Sequence, residues 1–93
     1  MSSETELYRR ALAAWGQYEQ LLMLAEECSE LAAACHRARR DMRHRAHFVW
    51  EEIADVEIMC AQVTQALNAG DAVAEIKAGK LRRLEQRLLD AGR

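Results

Sequence analysis

Residues 18–39 read YEQLLMLAEECSELAAACHRAR. Their apolar positions Leu21, Leu24, Cys28, Leu31 and Cys35 alternate steps of three and four, the pattern of a helix that packs in a bundle. The same pattern returns in Val49, Ile53, Val56, Cys60, Val63 and Leu67, which predicts a partner helix from about His47 to Leu67. Upstream, a shorter helix from about Glu4 to Trp15 opens on Ser3 with Glu6 at capping-box spacing and closes near Gly16. Downstream, Asn68, Ala69 and Gly70 supply a stop, and Asp71 is the expected N-cap of a last helix carrying Val73, Ile76, Leu81, Leu84 and Leu88. Gly79 is a weak point inside it. The expectation is an all-α single domain over residues 1–93, a helical bundle of about four helices per chain.

Composition agrees with helices. The chain is 51% hydrophobic but only 5% aromatic and has no proline, so its apolar content is Ala, Leu, Met, Val and Ile. Its apolar runs, such as Leu21 to Ala25, fall far short of the ~20 residues of a membrane span. Met1 to Arg10 is polar and has no apolar h-region, so a cytoplasmic protein is expected. Cys28, Cys35 and Cys60 are an odd set without CxxC spacing, which argues against disulfides and zinc and predicts reduced core residues. At 93 residues a single core buries too little surface for comfort, and completion by oligomerisation, as a homodimer or a dimer of dimers, is expected.

The residues that point to chemistry are Glu26-Glu27-Cys28-Ser29-Glu30 and Glu52-Ile53-Ala54-Asp55. Residues three apart on a helix lie roughly 60° apart around the axis, so Glu27 with Glu30 and Glu52 with Asp55 each form a two-carboxylate claw. Each acid directly precedes a position of the apolar pattern, so both claws sit on the same border of their stripes and converge if the helices pair as an antiparallel hairpin. Four convergent carboxylates repel one another unless a cation compensates them. Hard oxygen donors without Cys or His select Mg²⁺, or Mn²⁺, over zinc. Solvated helix faces are the plainer explanation of a single ExxE, but two claws in matched phase favour convergence.

EExxE followed further along by ExxD marks the all-α nucleoside triphosphate pyrophosphohydrolases, the MazG-like group, and this chain resembles them in EECSE and EIAD. The surrounding WGQYEQLLMLAEECSELAAAC, EEIADVEIMCAQV and KLRRLEQRL are also similar to short members, over Trp15 to Leu88. The resemblance implies Mg²⁺-dependent water attack at the α-phosphorus of a nucleoside triphosphate, giving the monophosphate and pyrophosphate. It implies Glu27, Glu30, Glu52 and Asp55 as metal ligands, Glu26 as a supporting acid, and Lys80 and Lys77 near the phosphates. The family's Asn soon after that lysine is missing from Lys80-Leu81-Arg82-Arg83, which leaves sugar and base contacts open.

Between the two claw-bearing helices lie Arg37, Arg39, Arg40, Arg43 and Arg45, with Asp41 the only acid. A solvated turn is one explanation; Arg40 is the candidate from this stretch for holding phosphate, without the sequence singling out one arginine. A non-enzymatic helical module binding nucleic acid or protein through residues 37–45 is the alternative function. Nucleic acid is disfavoured because no aromatics are interleaved beyond Phe48 and Trp50 and the remaining surface is acidic. A ferritin-like di-metal bundle is excluded, since it requires ExxH and none occurs. Met23, Met42, Met59, Trp15 and Trp50 are candidates for a base pocket or, more simply, for core and interface.

Overall fold

The computed structural model describes residues 1–93, which form three helices and no strand: α1 (Glu4–Arg40), α2 (Met42–Ala66) and α3 (Gly70–Asp90). The all-helical expectation holds. One element, α1, spans the two helices predicted before residue 40, with a break inside it at Gly16. Gly16 has φ +79°, a left-handed conformation that costs a residue without Cβ nothing. Its carbonyl accepts from Gln20 Nε2 at 3.4 Å. The break has a topological consequence. Thr5 lies eleven residues before Gly16, roughly 16 Å of straight helix, yet its carbonyl accepts from Gln65 Nε2 at 2.9 Å near the end of α2. The N-terminal arm is therefore folded back over the C-terminal end of α2.

Helix ends follow local chemistry. Ser3 caps α1 by accepting from Glu6 N at 3.1 Å, while the Glu6 carboxylate turns to Arg9 instead of closing the capping box. After α2, Asn68 takes the left-handed position (φ 52°), donating to Gln65 O as Ala69 donates to Thr64 O, a Schellman stop with Asn in the usual glycine position. Gly70 starts α3, Asp71 falls in its first turn instead of at the N-cap, and Gly79 does not interrupt it. Only Asp41 separates α1 from α2, so the basic stretch is not a loop. Arg37, Arg39 and Arg40 form the last turn of α1, and α2 starts at Met42, ahead of the predicted His47.

α1 beyond Gly16 and α2 pair as an antiparallel hairpin, and the burial pattern places its seam. On α1 the covered positions run Gln20, Leu24, Glu27, Leu31, Ala34 and Ala38; on α2 they run Val49, Glu52, Val56, Met59, Val63 and Ala66. Both are heptad rows, but they coincide with only part of the predicted stripe. Leu24, Leu31, Val49, Val56 and Val63 are shared, whereas Leu21, Cys28 and Cys35, with Ile53, Cys60 and Leu67, lie on the exposed side. The three cysteines are thus free, exposed thiols and not core residues of this chain. Each helix carries two apolar stripes, and the hairpin uses one.

The second stripe and α3 are left uncovered. α3 has no buried residue and meets only α2, sparsely. The radius of gyration is 16.4 Å, against about 12 Å for a compact domain of this length. No helix is long and apolar enough to cross a membrane.

Candidate functional site

The hairpin seam brings the carboxylates together. Glu27 and Glu52 are not beside the seam, as the sequence pattern suggests, but in it, where an aliphatic residue would ordinarily pack. Donor oxygens of Glu27, Glu52 and Asp55 all lie within 4.8 Å of one another. Glu30, one turn along α1 from Glu27, is exposed and lies outside this trio, but its charge acts on both seam glutamates. Glu26 is exposed, outside the trio and outside the neighbouring cavities.

The electrostatics of the cluster is one of uncompensated negative charge. Withdrawal from water, then the charges of Glu30, Asp55 and Glu52, hold the Glu27 carboxyl above the usual carboxylate range. Glu52 is raised in the same way, by withdrawal from water first and then by Glu30, Asp55 and Glu51. No lysine or arginine answers them: the chain's ion pairs are Arg9 with Glu6 and His44 with Asp41. One oxygen of Glu27 and one of Glu52 are buried without any hydrogen-bond partner. Orphaned carboxylate oxygens are costly, and the arrangement fits a divalent cation held by oxygen ligands alone.

A cavity of about 440 Å³ opens from this cluster along the hairpin groove, within the range of small-molecule sites. Glu30 and Glu52 wall its acidic end, and Arg37 and Arg45 its other end. Ala33, Ala34 and Phe48 lie between. A second cavity of about 390 Å³ continues past the same two arginines to Arg40, His36 and Asp41.

Of the substrate-binding candidates, Arg40 therefore lines the outer cavity only. Lys77 and Lys80 are exposed on α3 and line neither cavity of the single chain. Met59 is buried, Met23 half-buried, and Met42, Trp15 and Trp50 exposed; none reaches the groove. Phe48, Arg37 and Arg45 carry no family motif. A signal was nonetheless present: Arg45, Phe48 and Glu52 recur at helical spacing on one face of α2, as Glu30 and Arg37 do on α1. Comparison with protein-family models, with curated proteins and with solved structures returned no match, so a functional reading rests on the chain's own residues.

Proposed function

We propose that the chain is a Mg²⁺-dependent nucleoside triphosphate pyrophosphohydrolase, as its resemblance to the MazG-like group suggests, acting in the cytoplasm. One observation carries the reading: Glu27, Glu52 and Asp55 converge within 4.8 Å while two of their neighbourhood's oxygens, on Glu27 and Glu52, are buried and unpartnered. Glu27, Glu52 and Asp55 would hold the ion, with Glu30 beside them; Mn²⁺ suits the same donors. When bound, the metal supplies neutralisation of phosphate charge and acidifies a water.

The chain's own side chains do the rest. Water attacks the α-phosphorus, the bond to the bridging oxygen breaks, and pyrophosphate leaves with its electron pair. Glu30, on the cavity wall and outside the converged trio, would take the water's proton on a carboxylate oxygen, a role for which Glu26, away from the cavity, is less suited.

The fold is completed by further copies of the chain. The accessible surface of 7583 Å² exceeds by roughly 2,000 Å² what a compact monomer of this mass exposes, an excess of the size that stable interfaces bury. An α3 from a neighbouring copy is the means by which Lys77 and Lys80 would approach the groove.

A panel of nucleoside triphosphates with Mg²⁺, assayed separately for pyrophosphate and orthophosphate, tests the activity. Pyrophosphate release that EDTA abolishes is expected. Orthophosphate alone, or turnover indifferent to EDTA, overturns the reading. The rival nucleic-acid module has the arginines in its favour but gives no role to the converged carboxylates, whose buried oxygens on Glu27 and Glu52 it leaves without a partner. It would show a steep salt dependence of oligonucleotide binding and no response to EDTA.

A further inference from the structure

The basic stretch poses a physical problem that the hairpin alone does not solve. Five arginines gather where α1 ends and α2 begins, and none has an ion-pair partner. Asp41, the one acid among them, is bonded to His44 at 2.9 Å. Arg37, Arg39 and Arg40 at the end of α1 suit its dipole, but Arg43 and Arg45 stand in the first turn of α2, which contains no acid and has no side-chain cap. Cations there are disfavoured by the helix dipole. Local conflicts of this kind occur at functional or strained sites, and the cavity linings say which of the arginines bear on a ligand.

Two of the five differ from the rest. Arg37 and Arg45 line both cavities, whereas Arg39 and Arg43 line neither. Arg37 lies seven residues beyond Glu30 and Arg45 seven residues before Glu52, so across the antiparallel pair the two stand level, each roughly 10 Å along its helix from the acidic end. Their flexible stems shorten that distance. Ala33 and Ala34 leave the floor between the two ends clear of long side chains, and Phe48 walls it. The groove is therefore bipolar: carboxylates at one end that call for a cation, and a pair of unpaired guanidinium groups at the other that calls for an anion.

We propose that Arg37 and Arg45 form a two-sided clamp for a polyphosphate, receiving the terminal phosphates of a chain whose inner phosphate lies towards Glu27, Glu52 and Asp55. Guanidinium groups bind phosphate oxygens through paired N–H donors, and two of them facing one groove match an extended, multiply charged chain better than a single phosphate. That this chain is the tail of a nucleoside triphosphate rests on the hydrolase reading above; the clamp itself does not.

The test separates the two. Inorganic tripolyphosphate is titrated calorimetrically into the full chain in EDTA, so that no metal contributes. Wild type is expected to bind it, Arg37→Gln with Arg45→Gln to weaken binding by roughly tenfold or more, and Arg39→Gln with Arg43→Gln to leave it nearly unchanged. All four positions are exposed, and helical circular dichroism checks that each variant folds. Absence of binding in EDTA overturns the clamp. So does equal weakening by both pairs of substitutions, which would mean a diffuse basic surface, or unaltered binding in the Arg37/Arg45 variant, even if that protein still releases pyrophosphate. Loss of binding confined to Arg37 and Arg45, in a chain that hydrolyses no nucleoside triphosphate, upholds the clamp and removes the hydrolase reading instead.

Discussion

Glu27 and Glu52 occupy positions that a hairpin of this kind would ordinarily give to Leu or Val, and they do so with their protonation shifted upward. A carboxyl with a raised folded-state pKa binds protons more readily folded than unfolded. It therefore costs stability at pH values above its unfolded pKa, and the cost is relieved as the pH falls through the raised folded value. Glu27→Gln removes one charge from the group. In EDTA at neutral pH it is expected to melt above wild type, and the difference should shrink in mildly acidic buffer, as followed by thermal denaturation. Millimolar Mg²⁺ should raise the wild-type melting temperature at neutral pH and raise that of Glu27→Gln much less. A wild-type melting temperature indifferent to Mg²⁺ at matched ionic strength would show that the carboxylates bind no cation. Under the hydrolase reading, Glu27→Gln or Asp55→Asn lowers turnover by more than the roughly 10–100-fold that outer-shell partners of a metal typically cost, with helical circular dichroism intact.

Among the elements, α1 contains the feature on which the fold turns. The Gly16 break lets residues before it fold across the end of α2, and no atom lies within 4 Å of where a Cβ would stand. The demand for glycine is thus conformational and not steric. Gly16→Ala places a side chain at φ +79° and should destabilise the chain by about 1–2 kcal/mol. Because the carboxylates lie on the far side of the break, Mg²⁺-dependent stabilisation should persist in this variant. Chemical denaturation with and without Mg²⁺ checks both statements; a neutral substitution would mean that the arm tolerates a straight α1.

For the molecule as a whole, the hairpin carries a second apolar stripe and an almost detached α3, and the proposed completion by further copies would cover both. Leu84 and Leu88 of α3 are 51% and 44% exposed, as is expected of a face awaiting a partner. Light scattering at micromolar concentration should report a dimer or tetramer, and Leu84→Glu with Leu88→Glu should shift it towards monomer and lower the melting temperature. A wild-type monomer would contradict the proposed completion by further copies. If a neighbour's α3 brings Lys77 and Lys80 to the groove, the same double substitution should also depress pyrophosphate release while leaving Glu27, Glu52 and Asp55 in place.

Helix content and the nearness of Glu52 to Asp55 were legible from the sequence, because each depends on spacing within one helix, where 3.6 residues per turn fixes which side chains share a face; of the four carboxylates expected to converge, Glu27, Glu52 and Asp55 do and Glu30 stands outside. Leu24, Leu31, Val49, Val56 and Val63 could be assigned to the hairpin seam on that basis. Which of two apolar stripes forms the hairpin could not, since periodicity is the same for both and only the partner helix distinguishes them; hence Cys28, Cys35 and Cys60 turned outward and Glu27 and Glu52 inward. The start of α2 at Met42 was hidden because an arginine-rich stretch has no apolar periodicity, yet arginine is a good helix former and a neighbouring helix supports the turn. Selection of Arg37 and Arg45 from five arginines, and of Phe48 from the aromatics, belongs to the tertiary structure for the same reason. A cavity is a relation between two helices, and residues distant in sequence meet in it only once the seam has chosen its register.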